Sequence, residues 1–306
     1  MERWAIPCFS FVGRSGVGKT TVLERVVAAL AQRGYRVAAI KHTRHADLET
    51  DLPGKDTRRF WDAGAVQTVL ITPERVAQVR RVAAPALGDV LAGIRDVDVV
   101  LVEGDKTGPL PKIEVVRAAC APDVLPDLVG RIACVTDVPD LSWDGLAFAL
   151  DADMALANFI EEWIVAAQAG MGGWEELEHT ADLALRVWAP DLPGLFVAAA
   201  RGMFSLSAAA TAPTFTHAEQ VTLRAGDREA LLVDWLNELL YLSEAGAGQW
   251  AYGAFRFETL TGTALRALAL GAQVTARRNE VKAATFHDIA IRQSAVGLET
   301  TLVFDM

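Results

Sequence analysis

The hydrophobic pattern of the first half alternates between short apolar runs and helical repeats. Residues 6–12 are almost continuously apolar, which predicts a buried strand, and apolar positions then recur at helical spacing over 22–30. Further strands are predicted at 35–40, 66–71, 97–102, 113–116 and 132–135, and further helices at 56–63, 87–94 and 155–167. Strands that alternate with helices predict an α/β domain with a mostly parallel sheet, whose ligands bind at the carboxyl ends of the strands.

The pattern changes in the second half, where helices come early and strands come late. Alternation over 183–187 predicts a strand, and Asp191 and Asp227 are predicted to cap two helices, the second of which ends before Gly246. Strand-like segments follow at 254–260, 264–270, 274–276, 282–291 and 300–304. This order of elements predicts an α+β domain with an antiparallel sheet.

A small, glycine-rich stretch at 166–173 separates the two patterns. Such a composition predicts a linker between domains. The sequence therefore predicts two domains, 1–169 and 173–306, which we expect to fold and act independently.

Composition and charge narrow the possible function classes. The 306 residues carry a formal net charge of −10, which opposes a broadly basic surface, so no stable direct nucleic-acid binding is predicted. Cys8, Cys120 and Cys134 are too few and too scattered for a disulfide framework or a zinc site. The sequence contains neither a secretory signal nor an uncharged apolar run of membrane-spanning length, so we expect a cytoplasmic protein without a membrane segment.

The turn after the first strand carries the clearest chemistry. It reads G-x-x-x-x-G-K-T, the phosphate-binding loop (P-loop) of nucleoside-triphosphate proteins, between a predicted strand and a predicted helix. Its glycines let backbone amides approach phosphate oxygens, Lys19 can reach the β- and γ-phosphates, and the Thr20 hydroxyl can ligate Mg²⁺. The predicted nucleotide-binding residues here are Gly13, Arg14, Ser15, Gly16, Val17, Gly18, Lys19, Thr20 and Thr21. The sequence therefore predicts an α/β P-loop NTPase domain.

Glu103 follows an apolar run, at the carboxyl end of a strand that we expect to lie near the P-loop. A carboxylate there can hold the magnesium shell or orient water, so we predict a catalytic and metal-binding role; the alternative is a solvated loop carboxylate. Thr136 and Asp137 follow another strand and fit either a guanine-reading loop or an ordinary turn. The sequence has no Asn-Lys-x-Asp guanine signature, so these residues do not distinguish GTP from ATP.

Several motifs of the first half occur together in a fixed order. They are the P-loop, Lys-His-Thr at 41–43, Pro-Gly-Lys-Asp-Thr at 53–57, Ala-Gly-Ala at 63–65, Leu-Val-Glu-Gly at 101–104 and Pro-Leu-Pro-Lys-Ile-Glu at 109–114. In these motifs residues 4–167 resemble MobB, the molybdopterin-guanine dinucleotide biosynthesis protein B. The resemblance implies a GTP-binding homodimer with weak GTPase activity. Such a protein would assist guanylylation of molybdopterin beside a MobA-like nucleotidyltransferase.

The same resemblance implies roles for individual residues. By motif position, Lys19, Thr20, Asp56 and Glu103 would bind the nucleotide and Mg²⁺, with Lys19 and Glu103 as catalytic residues of a slow GTPase. Asp105 departs from the family pattern, where a bulkier apolar residue is expected, and this affects local contacts rather than the P-loop. The preference for GTP over ATP rests on the resemblance.

Carboxylates at two strand ends are the candidate chemistry of the second half. Asp182 lies just before one predicted strand and Asp305 just after the last, and such oxygens suit a hard cation. Ordinary strand-end carboxylates are the alternative. Lys282 and His287 would lie on opposite faces of a regular strand, so they share a site only if a bulge intervenes.

Five motifs of the second half also resemble one family. They lie at 177–182, 198–204, 231–241, 280–287 and 303–305, and in them residues 173–306 resemble archease. The resemblance implies a protein that activates the RNA-splicing (tRNA) ligase RtcB by promoting its guanylylation. By motif position, Asp182 and Asp305 would bind a divalent cation, Ca²⁺ or Mg²⁺, and Lys282 would be the basic residue for ligase activation.

Together the motifs predict a bifunctional accessory protein with one GTP-binding half and one ligase-activating half. Two other readings stay open. In one, the first half is a nucleotide-dependent scaffold or carrier that needs no turnover. In the other, the chain is a single unit in which the P-loop half regulates RNA-ligase activation.

Overall fold

The computed structural model describes residues 6–43, 55–168, 172–177, 183–245, 249–287, 289–295 and 297–306. The chain divides into two compact units. The larger unit comprises Met1–Lys41 and Ile94–Met306, and the smaller comprises His42–Gly93.

The first half contains the alternating elements that the sequence predicts. In order they are β1 (Ile6–Val12), α1 (Lys19–Gln32), β2 (Val37–Lys41), α2 (Asp56–Asp62), β3 (Gln67–Ile71), β4 (Val76–Arg80), α3 (Leu87–Gly93), β5 (Val99–Glu103), β6 (Lys112–Val116), β7 (Arg131–Thr136), β8 (Ala147–Ala149) and α4 (Asp153–Gln168). The sequence pattern missed β4 and β8, whose runs of three to five residues are too short for a clear period.

The strands of this half that belong to the larger unit form a parallel sheet in the order β2-β5-β1-β6-β7-β8. The predicted mostly parallel α/β sheet is therefore confirmed. β1 and β5 are apolar along their length because both faces of the sheet are covered, and Val99 to Val102 are fully buried. The carboxyl ends of β1, β2 and β5 consequently meet at one edge of the sheet.

The smaller unit is built around the β3–β4 hairpin. The two strands pair antiparallel from Gln67 opposite Arg80 to Ile71 opposite Val76. Several large apolar side chains of this unit are exposed, among them Phe60, Val66, Val69, Leu70, Ile71 and Val76. These side chains give the smaller unit an exposed apolar surface.

The second half contains the following elements. They are β9 (Gly173–Leu177), β10 (Leu183–Ala189), α5 (Leu192–Ser207), β11 (Ala208–Arg224), α6 (Arg228–Glu244), β12 (Trp250–Leu260), β13 (Ala264–Arg277), β14 (Ala283–Ala284), β15 (Arg292–Ser294) and β16 (Gly297–Asp305). The predicted caps are confirmed, because Asp191 accepts a 2.8 Å hydrogen bond from the Gly194 amide and Asp227 one of 2.8 Å from the Ala230 amide.

The strands of the second half pair antiparallel with one another, which confirms the predicted α+β domain. One group has the order β12-β13-β11, and the other has the order β14-β16-β10-β9 with β15 beside β16. α5 and α6 pack with the inner faces of these strands in one apolar core, which includes Phe196, Trp235 and Tyr252.

The predicted strand at 282–291 is wrong. In the described part of this segment the register with β16 covers only Ala283 and Ala284, and the Thr285 amide donates one further 2.9 Å hydrogen bond to the Val303 carbonyl. The other edge of Ala284 is taken by a side chain, because Asn237 on α6 donates to its carbonyl at 3.1 Å and accepts from its amide at 2.8 Å. The side-chain amide occupies the place of a neighbouring strand there, and β14 ends at Ala284. Lys282 and His287 therefore do not belong to one regular strand.

The two halves join inside the larger unit. Ile6 and Pro7 of β1 pair in parallel with Thr214 and Phe215 of β11, so one sheet continues from the first half into the second. Phe215 is fully buried in the core of the P-loop half. The centre of the predicted linker, 169–171, lies outside the described residues. The domain limits 1–169 and 173–306 stay a prediction.

Candidate nucleotide-binding site

The P-loop connects β1 to α1, and its backbone explains the glycines of the motif. Gly13 has φ 149°, and a Cβ on it would lie 2.4 Å from the carbonyl oxygen of Val115. Gly16 and Gly18 have φ of 78° and 87°, in the left-handed region that side chains disfavour. The loop therefore curls back towards the end of β6 before α1 begins.

Lys19 is the first residue of α1, and its side chain folds back over the loop. The ammonium group donates a 2.8 Å hydrogen bond to the carbonyl oxygen of Arg14. Partial burial lowers the pKa of Lys19; Glu103 opposes this shift, and the positive charges of Lys106 and Lys41 add to it. A bound phosphate would offset the mutual repulsion of these three ammonium groups.

Thr20 and Glu103 meet at the edge where β1 and β5 end. The Thr20 hydroxyl donates a 3.0 Å hydrogen bond to Glu103 Oε2, and the ammonium group of Lys41, at the end of β2, lies 3.5 Å from the same oxygen. Parallel pairing of the strands places all three residues at their carboxyl ends. A hydroxyl and a carboxylate are the hard oxygen donors that Mg²⁺ prefers, so this pair fits a magnesium ion.

The remaining predicted nucleotide residues differ in exposure and in the unit to which they belong. Arg14, Ser15, Gly16 and Thr21 are exposed, whereas Val17 is buried and anchors the loop in the core. Asp56 begins α2 in the smaller unit and forms a 3.6 Å ion pair with Arg59. Its role at the nucleotide stays a prediction.

Arg117 and Cys120 border the P-loop, and the sequence analysis missed both. One guanidinium nitrogen of Arg117 lies 3.6 Å from the position of a Cβ on Gly18, and Cys120 Sγ lies 3.7 Å from the Gly16 carbonyl oxygen. Arg117 follows β6 directly. Its position at the carboxyl end of a predicted strand could have indicated that it lies near the ligand edge of the sheet.

Asp137 contacts the backbone and side chain of the turn that follows β6, which contains Arg117. Its carboxylate accepts a 2.7 Å hydrogen bond from the Ala118 amide and lies 3.6 Å from the guanidinium of Arg117. Thr136 accepts a 2.9 Å hydrogen bond from the Val138 amide, as in a tight turn. Both side chains thus have local partners, and the guanine-reading alternative for this pair stays a prediction.

Asp105, the departure from the family pattern, has a backbone explanation. It adopts φ 59° directly after Gly104, whose φ is 106°. Aspartate tolerates this left-handed conformation better than a bulky apolar residue does. Gly104 is tied to β1, because Ser10 donates a hydrogen bond to its carbonyl and its amide donates to Phe11 at 3.0 Å.

The candidate residues of the second half lie near the end of the chain. Asp305 is the exposed last residue of β16, and its carbonyl accepts a 2.9 Å hydrogen bond from the Lys282 amide. The Lys282 ammonium group donates to the Met306 carbonyl at 2.6 Å, so Lys282 and Asp305 are neighbours. Asp182 lies outside the described residues. Within the described ranges, no group of three or more His, Cys, Asp or Glu side chains is arranged to hold a metal.

No helix in the described part of the chain is long and apolar enough to cross a membrane.

Comparison with known families separates the chain into the same two halves. The family model for molybdopterin guanine dinucleotide synthesis protein B (MobB) matches residues 8–137, and that of the archease protein family matches residues 174–306. The molybdopterin-guanine dinucleotide biosynthesis adapter protein of Haemophilus influenzae is 36% identical over 162 residues, which is 52% of this chain and 90% of that protein. Protein archease of Methanosarcina acetivorans is 32% identical over 141 residues, 44% of this chain and 95% of that protein. The chain belongs to both families.

The MobB–archease chain is thus a fusion, as the motifs predicted. We call the part of the chain up to residue 168 the MobB half and the part from residue 172 the archease half. A solved structure, the MobB protein homolog from Bacillus stearothermophilus, is 27% identical with a TM-score of 0.41 and covers 51% of this chain and 97% of its own. Each of these relatives accounts for about half of the fusion.

Proposed function

We propose that this chain is an accessory protein for two guanylylation systems. The MobB half binds GTP with Mg²⁺ and assists formation of molybdopterin guanine dinucleotide in molybdenum cofactor biosynthesis. The archease half activates an RtcB-type RNA-splicing ligase by promoting its guanylylation. The observation that carries the first part is the P-loop geometry with the 3.0 Å hydrogen bond between Thr20 and Glu103.

In the MobB half, Lys19 moves from the Arg14 carbonyl to the β- and γ-phosphates when nucleotide enters, which supports binding of the triphosphate. The amides of the loop and the N-terminus of α1 hold the phosphate oxygens. Thr20 and Glu103 hold Mg²⁺, which neutralises phosphate charge when it is bound. Glu103 also orients the water that attacks the γ-phosphate. We propose that the resulting hydrolysis of GTP is slow.

In the archease half, we propose that Asp182 and Asp305 bind a divalent cation and that Lys282 contacts the ligase. The closeness of Lys282 and Asp305 supports a common site, because both lie at the paired ends of β14 and β16. Oxygen-only ligands favour Ca²⁺ or Mg²⁺ over zinc. The archease half itself performs no reaction.

The partners follow from these two activities. The MobB half works beside a MobA-like nucleotidyltransferase and molybdopterin, and the archease half works beside the RNA ligase, both in the cytoplasm. We further propose a homodimer formed through the MobB half. The exposed apolar residues of the β3–β4 hairpin support an interface there, because Leu70, Ile71 and Val76 are 50–74% exposed.

Two assays with the purified full chain test the proposal. The first measures molybdopterin guanine dinucleotide formation by the nucleotidyltransferase, and the second measures guanylylation of the ligase, each with and without the chain. We expect stimulation in both, loss of the first with Lys19→Ala and loss of the second with Asp305→Ala. Absence of stimulation in either assay removes the corresponding half of the proposal. A single-turnover GTP assay distinguishes a slow GTPase from a carrier that needs no turnover.

A further inference from the structure

Helix α4 contacts both halves of the fusion through neighbouring side chains. Glu161 accepts hydrogen bonds from the Tyr35 hydroxyl at 2.8 Å and from Arg33, which directly follows α1. Glu162 accepts a 2.7 Å hydrogen bond from Arg256 on β12. Successive helical residues point about 100° apart, so one turn of α4 ties the phosphate-binding helix α1 to the archease half.

The pairing of β1 with β11 is a second connection. β1 leads directly into the P-loop, and its first residues pair with Thr214 and Phe215. Phe215, Ala254, Leu270 and Ala272 of the archease half are fully buried in the same apolar core as Phe9, Leu101 and Trp163 of the MobB half. Unfolding of either half alone would therefore expose this shared core to water.

Arg201 on α5 provides the third connection. It is only 5% exposed, and its guanidinium donates to the carbonyl of Ala166 in the last turn of α4 and, at 2.9 Å, to that of Gly253. A cation at the carbonyl end of a helix is favoured by the helix dipole. Separation of α4 from α5 would therefore exchange this charge-assisted hydrogen bond for one with water and lose the favourable position at the helix end.

We propose that the two halves unfold as one cooperative unit, so that GTP bound at the P-loop stabilises the archease half. The inference rests on the proposed nucleotide binding and replaces the expectation of independent halves. Any state in which the archease half opens also withdraws Phe215 from the core beneath β1 and releases α4. A ligand that binds only the closed state lowers the population of such open states.

Hydrogen exchange of the full chain, followed by mass spectrometry, tests this coupling. The probe is GTP with Mg²⁺ at about 100 times its Kd, which lowers the population of a state that cannot bind it about 100-fold. We expect the slowest-exchanging amides of α5 and β11 to slow by at least about 10-fold, together with those of α1. In Lys19→Ala, we expect no change in any of these elements.

Two variants test whether the contacts between the two halves, which we call the joint, transmit the effect of GTP on exchange in α5. Arg256→Gln removes the contact with Glu162 on the surface, and Phe215→Ala removes a side chain from the shared core. Both should reduce the effect of GTP on α5 exchange. Arg278→Gln is the matched control, because its 2.6 Å ion pair with Glu176 lies wholly within the archease half and shares no partner with Arg256. It should leave the effect unchanged, and Arg256→Gln keeps the test valid if Phe215→Ala fails to fold.

Calorimetry of GTP binding on the same samples distinguishes the two proposals. If GTP binds and slows exchange in α1 but leaves α5 and β11 unchanged, the coupling is overturned while nucleotide binding stands. If GTP with Mg²⁺ does not bind, both the proposed nucleotide site and the coupling are overturned. An equal response in Arg256→Gln and Phe215→Ala and in the wild type would overturn the role of this joint.

Discussion

The Thr20 hydroxyl donates a 3.0 Å hydrogen bond to the Glu103 carboxylate, although the two residues lie 83 positions apart. The contact follows from parallel pairing, which sets Phe11 of β1 opposite Glu103 of β5. The P-loop returns to this edge at the start of α1, so both oxygens face the space beyond the strand ends. Substitutions at either residue should therefore affect the same ligand.

Lys19→Ala should abolish stabilisation by nucleotide. At GTP with Mg²⁺ about 100 times above Kd, the wild type gains about 2.7 kcal/mol of unfolding free energy, which raises Tm by several degrees. The variant lacks the phosphate cation and should show no shift in differential scanning calorimetry. Arg25→Ala is the matched control, because Arg25 also lies on α1 and pairs only weakly with Asp153, at 3.8 Å. An equal shift in Lys19→Ala and wild type would contradict the site.

Glu103→Gln should lower GTP turnover by about 10²-fold, the contribution typical of one acid–base group. The folded state should lose little, because the glutamine oxygen still accepts from Thr20 and the lost pair with Lys41 is long, at 3.5 Å, with the Lys41 side chain in solvent, so it is worth below about 1 kcal/mol. Phosphate release and Tm without nucleotide measure the two effects. A large loss of Tm with unchanged turnover would make Glu103 a structural carboxylate.

Gly13→Ala should destabilise the fold more than Gly16→Ala does. Both glycines have positive φ, which costs a side chain about 1–2 kcal/mol. Only at Gly13 would the new Cβ also meet a backbone oxygen, that of Val115 at 2.4 Å, whereas nothing lies within 4 Å at Gly16. Urea unfolding of the two variants gives the difference directly. Equal losses would mean that the loop relaxes away from β6.

Asp305→Asn should weaken divalent-ion binding by the archease half. The change keeps the shape of the exposed last residue of β16 and removes its charge. Calorimetric titration with Ca²⁺ in a Thr20→Ala background isolates this site from the P-loop. Glu299→Gln, on the same strand and paired with Arg186, is the matched control and should bind as the parent does. Unchanged Ca²⁺ binding in Asp305→Asn would place the ion elsewhere.

Thiol reactivity should distinguish one cysteine from the other two. Burial raises the pKa of Cys8 far above its usual range, helped by Asp105, and burial raises that of Cys134 to about 12, helped by Glu114. The thiolate is the reactive form, so at pH 8 only the exposed Cys120 should react rapidly in the native chain. In Cys120→Ser the fast phase should be absent. In the wild type, unfolding with guanidinium should expose all three thiols. Three fast thiols in the native chain would contradict the buried strands β1 and β7.

The sequence itself determined the two architectures and the backbone of the candidate nucleotide site. Continuous apolar runs such as β1 and β5 predict strands buried on both faces, and the spacing of the P-loop glycines predicts a backbone that only glycine accepts. The helix caps at Asp191 and Asp227 could also be predicted from the sequence, because each depends on a hydrogen bond to a residue three positions away. Features governed by local backbone chemistry are therefore present in the sequence pattern.

Tertiary structure alone decided the features that depend on distant partners. The sequence predicts a strand over 282–291, yet β14 ends at Ala284, where the Asn237 side chain hydrogen-bonds the backbone on the edge away from β16. Arg117 reaches the P-loop only because β6 lies beside β1. The burial of Phe215 beneath β1 and the pairing of Arg256 with α4 likewise join residues that are far apart in the sequence. No local period encodes such contacts, because burial depends on which surfaces the folded chain brings together.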